Sequence, residues 1–561
     1  MTPRTNDVVD EHEILSYVQQ RRASIVSAGT NHIPNHFHTL TSHKSRSSLH
    51  DNHLHHLNSN SSFLQNDLDI SEILSINSNN LIKEPETNFK TEIQVLLKYS
   101  IPLIITFLLQ YSLTVASVFS VGRLGSVELA AVSLSSMTAN ISGYAIIQGV
   151  STCLDTLCAQ AYGRGDFNTV GLHFIRCNYL LMMLYVPMLI LWVFGSKPIL
   201  TMLLGSDSSR LIELASSYLK ILSIGIPGFI IFENSKHFLQ SQGIFHASTY
   251  ILIICAPLNA FLNYLLVWNS KIGLGFIGAP LSVVVTNYLM CFLLLCYIFL
   301  INGYQCIPRQ SIFNKVMFQN WNKMINLSIP GVLMVEAEWL AFEIITFSAS
   351  KFGTDILAAQ SIVSTTCVLL YQIPFALSIA ASTRIAWFIG AASKKAAIIS
   401  SNATILLSLI GGLISGGFLI IFRSFFASLY TSDSNVIKIA SKVLIIGSIY
   451  QINDFLAAST GGILRGQGRQ KIGGILCLIS YYLIALPFAF LFAFYFKLEL
   501  VGLWLGMIIA LFFVSISQCY CVITSKWDHI INECINEGIL EDGISIDAHS
   551  IVPSMSSSHI V

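Results

Sequence analysis

"YLMCFLLLCYIFLI", residues 288–301, runs for fourteen residues without a charge, and how it is read decides the fold. Two further stretches share its character, "VPMLILWVF" (186–194) and "ALPFAFLFAFYF" (485–496). None alternates polar with apolar residues, as the roughly ten-residue strands of a membrane β-barrel would. They are lipid-solvated helical segments, and a span needs about 20 such residues. Composition agrees. Of 561 residues 53% are hydrophobic and only 11% charged, with a mean hydropathy of +0.65, whereas a soluble domain carries about 25% charged residues. The sequence therefore predicts an all-α membrane protein of many spans.

Composition also removes several classes of function. A net charge of +1 with no basic stripe gives no footprint for nucleic acid. The twelve cysteines form no C-x-x-C pair, and most lie in apolar stretches (Cys153, Cys255, Cys291, Cys296, Cys367, Cys477). They read as small buried hydrophobes, so neither a disulfide framework nor a metal site is expected. There is no G-x-x-x-x-G-K-[ST] loop, hence no direct drive by ATP and no expected cofactor. A cleavable signal peptide is not expected, because the first 90 or so residues are polar.

Outward from the opening stretch, the chain divides into a polar segment, two apolar halves and a second polar segment. Residues 1–94 are rich in Ser, Asn and His, with "HFHTLTSH" (36–43), "HLHH" (53–56) and "RRASIV" (21–26), and read as a disordered cytosolic tail. Residues 525–561 read as a similar C-terminal tail. Between them twelve helices are predicted, near 95–121, 128–152, 171–195, 212–238, 247–268, 277–302, 323–350, 355–381, 396–422, 436–460, 472–496 and 500–524. Residues 303–322 link the sixth to the seventh. An even number puts both termini on one side. Arg164, Arg309, Lys315, Lys323, Lys394, Lys395, Arg465, Arg469 and Lys471 in the short loops of that side make it the expected cytosolic one.

An internal repeat orders these helices. "SIP" at 100–102 returns at 328–330, and "LGSVELAA" (124–131) aligns with "FGTDILAA" (352–359), both at an offset of 228. "LDTLCAQAYG" (154–163) aligns with "ASTRIAWFIG" (381–390) at 227, matching Gly163 to Gly390. "SQG" (241–243) answers "GQG" (466–468) at 225, and "GAPL" (278–281) answers "GLWL" (502–505) at 224. Six helices per copy is an even number, so both copies run the same way and a two-fold axis lies along the membrane normal. The expected architecture is two pseudo-symmetric six-helix lobes, 95–302 and 323–524, which suits a transporter that rocks its lobes about a midplane site.

Polar side chains inside predicted spans are the functional candidates, because membrane burial of a charge is costly. The second half offers Glu336, Glu338, Glu343, Thr365, Tyr450 and Asp454; the first offers Gln110, Asn140, Gln148, Asp155, Glu233, Asn259 and Asn263. Asn and Gln serve equally well as hydrogen bonds between helices. Asp155 and Glu233 sit near helix ends, where pairing with Arg164 or Lys236 in a structural or gating role is the competing reading. In "VEAEWLAFEIITF" (335–347) three acids share one helix. At about 100° per residue, Glu336 and Glu343 fall within about 20° of each other and Glu338 some 140° away from Glu343. On a regular helix the three cannot all face one small cavity. A carboxyl group in low dielectric favours its neutral form, so such a group can accept a proton and release it when a cationic solute arrives.

"GVSTCLDTLCAQAYGRGD" (149–166), "LAAQSIV" (357–363), "IPFALSIAASTRI" (373–385) and "STGGILRGQGRQKIGGILCLISYYLIALP" (459–487) resemble the multidrug and toxic compound extrusion (MATE) family, and the long N-terminal segment its fungal branch. The resemblance spans about 95–524 and implies twelve helices in two lobes. It also implies antiport of organic cations or toxic metabolites against protons or sodium ions. The family's E-W-x-x-[YF]-E motif matches "EWLAFE", so its two seventh-helix acids map onto Glu338 and Glu343, and its tenth-helix acid onto Asp454, with Tyr450 one turn before. Trp339, Tyr450, Thr365, Gln110 and Glu336 are then expected to line the substrate cavity, and Asp155, Glu233 and Arg384 to gate or brace it. This chain has Thr365 where mammalian-type members carry a glutamate, and "IAWFIG" after "STR" in place of "VGNxLG". Fewer acids imply less strongly cationic substrates. The expected partners are a small organic cation and membrane lipid, with the protein a monomer in the plasma or vacuolar membrane. Two rivals are a flippase for a lipid-linked precursor, which would want a basic groove, and a membrane sensor signalling through its His-rich tail.

Overall fold

The computed structural model describes residues 87–204, 209–269, 273–308 and 315–550. The N-terminal segment through 86, with its histidine tract, lies outside the described residues. Among the described residues there is no strand. The helices are α1 (Phe89–Gly122), α2 (126–163), α3 (Phe167–Met202), α4 (Ser209–Gln240), α5 (Ala247–Trp268) and α6 (Gly275–Leu300) in the first lobe. In the second come α7 (Asn322–Ala349), α8 (Thr354–Gly390), α9 (Lys394–Tyr430), α10 (Ser434–Gly466), α11 (Gln470–Tyr495) and α12 (Glu499–Ile523). A further helix, α13 (Trp527–Ser550), follows them. Ten of these rods are long and apolar enough to cross a membrane. The two that are not, α2 and α7, fail for visible reasons: α2 is interrupted at Thr152, and α7 carries three glutamates. The protein is an integral, multi-pass membrane protein.

Lipid gives helices no hydrophobic reason to associate, so close approach through small residues does the work. The duplication shows where. The pseudo-equivalent Gly163 and Gly390 sit at the crossing of α2 and α8: a Cβ on the first would strike the Trp387 carbonyl, and on the second the Gln160 carbonyl. The turns after α4 and α10 are likewise one device used twice, since Gly243 and Gly468 take φ of 82° and 73°, a region that penalises any side chain. At this same end hydrogen bonds tie the lobes together. Thr156 Oγ1 donates to Arg465 O at 2.6 Å, Gln160 Nε2 to Gly466 O at 3.1 Å, and Trp387 Nε1 to Ser241 O at 2.7 Å. Gln470 Nε2 reaches both Thr152 O (3.3 Å) and Thr156 Oγ1 (3.2 Å). We call this the joined end. Gly163→Leu should force the joined end apart, because overpacking costs about 1–3 kcal/mol. Reactivity of nearby cysteine probes toward a membrane-impermeant thiol reagent should rise about tenfold or more, and unchanged reactivity would show that this crossing has slack.

Two boundaries differ from the sequence reading. The first helix begins at Phe89, capped by Asn88, whose side chain accepts from Thr91 N at 2.8 Å, so residues 89–94 belong to a span. Residues 527–550, expected within a polar tail, form α13. Its apolar residues Trp527, Ile530, Ile531, Cys534 and Ile535 recur at helical spacing and are buried against Phe388, Ile389, Ala392 and Ile463. Average polarity hid that stripe. Salt bridges Lys394–Asp528 (2.6 Å) and Lys323–Glu537 tie the helix down, and Arg164 Nη1 donates to Cys534 O at 3.3 Å. The last of these reaches the first lobe.

Candidate functional site

Helix α7 carries Pro330 within it, and Gly473 and Gly474 let α11 lie directly against α7. A Cβ on Gly474 would come 3.1 Å from the Pro330 carbonyl, and one on Gly473 2.8 Å from Met334 Sδ. This close packing brings the wide helical turn Ile479–Ala485 of α11 beside the acids. Tyr450 Oη, from α10, donates to Glu338 Oε1 at 2.8 Å, and Tyr481 is a second hydrogen-bonding neighbour of Glu338. Asp454, one turn beyond Tyr450 and 2% exposed, interacts electrostatically with Glu338. Tyr371 of α8 is close enough to sense both acids. An aromatic wall completes the site, with ring centroids 5.9 Å apart for Phe342–Tyr450, 5.8 Å for Phe342–Trp504 and 5.5 Å for Tyr450–Trp504. Trp504 is itself fixed by donating to Gln360 Oε1 at 2.8 Å. The result is one carboxyl group held by a phenol, with a second beside it, walled by aromatic rings, an arrangement able to hold a proton or a cation. Tyr450→Phe removes a hydrogen bond to an acid, worth about 1.5–3 kcal/mol when the acceptor is charged. Apparent affinity for an organic cation should fall by roughly tenfold or more, measured by binding to the purified protein; unchanged affinity would take Tyr450 out of the site.

The remaining candidates separate. Glu336 lies near Tyr482, the neighbour of Tyr481, and its buried Oε1 has no hydrogen-bond partner among the described residues. Glu343 is half-buried, on the Glu336 side of the helix rather than with Glu338, and has neither hydrogen bond nor ion pair to the described residues. Thus Glu338, Asp454 and Tyr450 are brought together and Glu343 is not among them. Trp339 is 38% exposed at the protein surface, and Thr365 is half-buried on α8. Gln110, the duplicate of Glu338, has a buried Oε1 without a partner. Glu233 pairs with Lys236 at 2.6 Å. Asp155 does not pair with Arg164, which goes to Cys534; it meets His237 Nδ1 at 2.6 Å instead, because His237 lies one turn past Glu233 on the same face of α4.

Sequence reasoning missed three partners, of which His237, the partner of Asp155, is given above. Arg384 is held by Glu92 of α1, with Nε at 3.2 Å and Nη2 at 2.9 Å from its oxygens, and its guanidinium lies 4.5 Å from the Phe388 ring centroid. This buried ion pair joins the lobes at their joined end. Glu92 escaped because it was counted within the polar tail. Tyr481 escaped because a tyrosine in an apolar helix reads as packing; its position four residues after Cys477 on the helix facing the acids was the available signal.

The MatE family model matches the chain twice, over residues 102–265 and 330–491, one match in each lobe. An uncharacterized transporter of Saccharomyces cerevisiae is 45% identical over 443 residues, which is 79% of this chain and 63% of that protein's length. Protein DETOXIFICATION 16 of Arabidopsis thaliana is 31% identical, over 80% of this chain and 92% of its own. The crystal structure of the eukaryotic MATE transporter AtDTX14 superposes with a TM-score of 0.74 at 25% identity, over 80% of this chain and 99% of that one.

Proposed function

The chain belongs to the MatE family of membrane transporters, and on that premise we propose that it is a secondary-active antiporter. It exports small organic cations, xenobiotics or toxic metabolites in exchange for protons, or for sodium ions, by alternating access. The observation that supports this reading is the Glu338–Asp454 pair beside Tyr450 in the second lobe. Two such carboxyl groups favour binding a proton or an organic cation in turn, and either ligand shifts the lobe equilibrium only through its different affinity for the two arrangements. The relatives' printed names point the same way, as proteins of detoxification. A flippase groove built to hold a pyrophosphate is disfavoured by acids at this position.

On this reading the joined end faces the cytosol, as do both termini, and the described arrangement is outward-facing. Glu343, without a hydrogen-bond partner among the described residues, is the acid that first meets an incoming proton or cation, and Glu338 and Asp454 retain it. Substrate and coupling ion compete for this set. The protein acts as a monomer in the plasma or vacuolar membrane. Glu343→Gln should insert normally yet lose pH-gradient-driven uptake of an aromatic cation such as ethidium in proteoliposomes. Undiminished uptake by that variant would remove Glu343 from the coupling set, and uptake that follows a sodium gradient instead would identify Na⁺ as the driving ion.

A further inference from the structure

Four ionisable side chains lie buried together in the first lobe, at the joined end, and the coupling chemistry proposed above uses none of them. Asp155 comes from α2, and Glu233, Lys236 and His237 from α4; each is at most 4% exposed. His237 stands between the acids, with Nδ1 2.6 Å from Asp155 Oδ1 and Nε2 3.6 Å from Glu233 Oε1. Lys236 Nζ donates to that same Glu233 oxygen at 2.6 Å. The second oxygens, Asp155 Oδ2 and Glu233 Oε2, are sealed from the surface with no hydrogen-bond partner among the described residues.

A neutral imidazole has one N–H and one bare nitrogen, so it cannot present a proton to two carboxylates at once; an imidazolium can. Charge gives the same answer. Two carboxylates balance Lys236 only when His237 also carries a proton, and its loss strands a net negative charge inside the lobe. The other titratable groups near α4 include buried His173 and Arg176 of α3, each engaged with partners of its own, so the balance stated is that of the quartet alone. Helix α3 turns Cys177 to Asn234 (3.5 Å), α1 lays the Phe107 ring 5.1 Å from Lys236 Nζ, and Tyr288 and Tyr297 of α6 bond to Ile224 O and His246.

Position links the quartet to the joined end. Asp155 lies between Thr152 and Thr156, both bonded across to Gln470, and one turn beyond His237 the Ser241 carbonyl accepts from Trp387. The duplication adds an independent contrast. At offsets of 227 and 225 the second lobe has Ser382, Ala458, Gly461 and Gly462 in place of the four charged residues. One copy thus carries its acids near the middle of the span and the other at the joined end.

We propose that this quartet is a second proton-binding site, centred on His237, that holds the ends of α2 and α4 in the shape that docks against the second lobe. It rests on the alternating-access reading. Loss of the proton loosens α2 from α4, and with them the Thr152, Thr156 and Ser241 contacts across the joined end. His237 is a positioning residue in this account and touches no substrate.

The test uses the full chain in lipid nanodiscs without substrate, with fluorophores in place of exposed Tyr250 on α5 and exposed Lys395 on α9. Their spacing is followed between about pH 5 and 9, the range in which a histidine titrates. The wild type should show a pH-dependent widening; in a Glu338→Gln background, where the coupling acid no longer contributes, a widening should remain, and adding the single change His237→Gln should abolish it. Should that single variant fail to fold, Asp155→Asn with His237→Gln removes the charges while keeping hydrogen-bonding groups, and should also give a flat profile. A transition of unchanged midpoint and amplitude in a folded His237 variant, or no transition in the wild type, overturns the site. Absence of cation uptake with the transition intact would count against the exporter reading instead.

Discussion

Glu338→Gln is expected to abolish pH-gradient-driven uptake, down to the level of protein-free liposomes, while the protein still inserts and folds. The physical reason is that Glu338 is the junction of the site. It accepts from Tyr450 at 2.8 Å, has Tyr481 as a second hydrogen-bonding neighbour, and shares its surroundings with Asp454. An amide neither binds nor releases a proton, so the second-lobe site no longer binds the driving ion differently in the two lobe arrangements, and a gradient of that ion cannot be coupled to substrate there. The fold should survive, because glutamine keeps an acceptor for the phenol and the loss is of order 1 kcal/mol. Substrate exchange without a gradient should persist at reduced affinity. Gradient-driven uptake by Glu338→Gln at the wild-type rate would place the coupling elsewhere.

The second large effect belongs to the pair that joins the lobes. Glu92→Ala leaves the Arg384 guanidinium buried without its carboxylate, since Glu92 is fully buried and the Arg384 side chain 5% exposed. Stranding one partner of a buried pair costs about 3–5 kcal/mol, whereas replacing both with apolar residues is often neutral. Glu92→Ala should therefore favour the parted arrangement by about a hundredfold or more, read as reactivity of cysteine probes at the joined end. Glu92→Ala combined with Arg384→Leu should return most of the way. Equal behaviour of the single and double variants would show that the pair contributes no clamp.

Much of this organisation was legible in the sequence, because membrane solvation and gene duplication both leave periodic traces. The 227-residue match of Gly163 to Gly390 and the match of "SQG" to "GQG" were legible as duplication, and the structure puts the first pair at the crossing of α2 and α8 and the second in two turns of the same hand. The helical wheel separated Glu338 from Glu336 and Glu343, and in the structure Glu338 alone of the three meets Tyr450. What stayed hidden were pairings between residues far apart in the chain. Glu92 and Arg384 are 292 positions apart, and Asp155 and His237 are 82 apart. Proximity along the chain favoured Arg164 for Asp155, but the α2–α4 contact turns Asp155 inward while Arg164, at the helix end, reaches α13. Helix α13 was hidden for a different reason: five apolar residues at helical spacing are diluted by polar neighbours, and only a face-by-face reading separates them.

On the proposed function, proton and organic cation compete for one acidic site in the second lobe. Purified protein in a weakly buffered solution, titrated with ethidium while the bulk pH is recorded, tests it without requiring transport. Binding should expel protons from the wild type, and Glu338→Gln should expel markedly fewer. Saturable ethidium binding with no proton release from the wild type would contradict it.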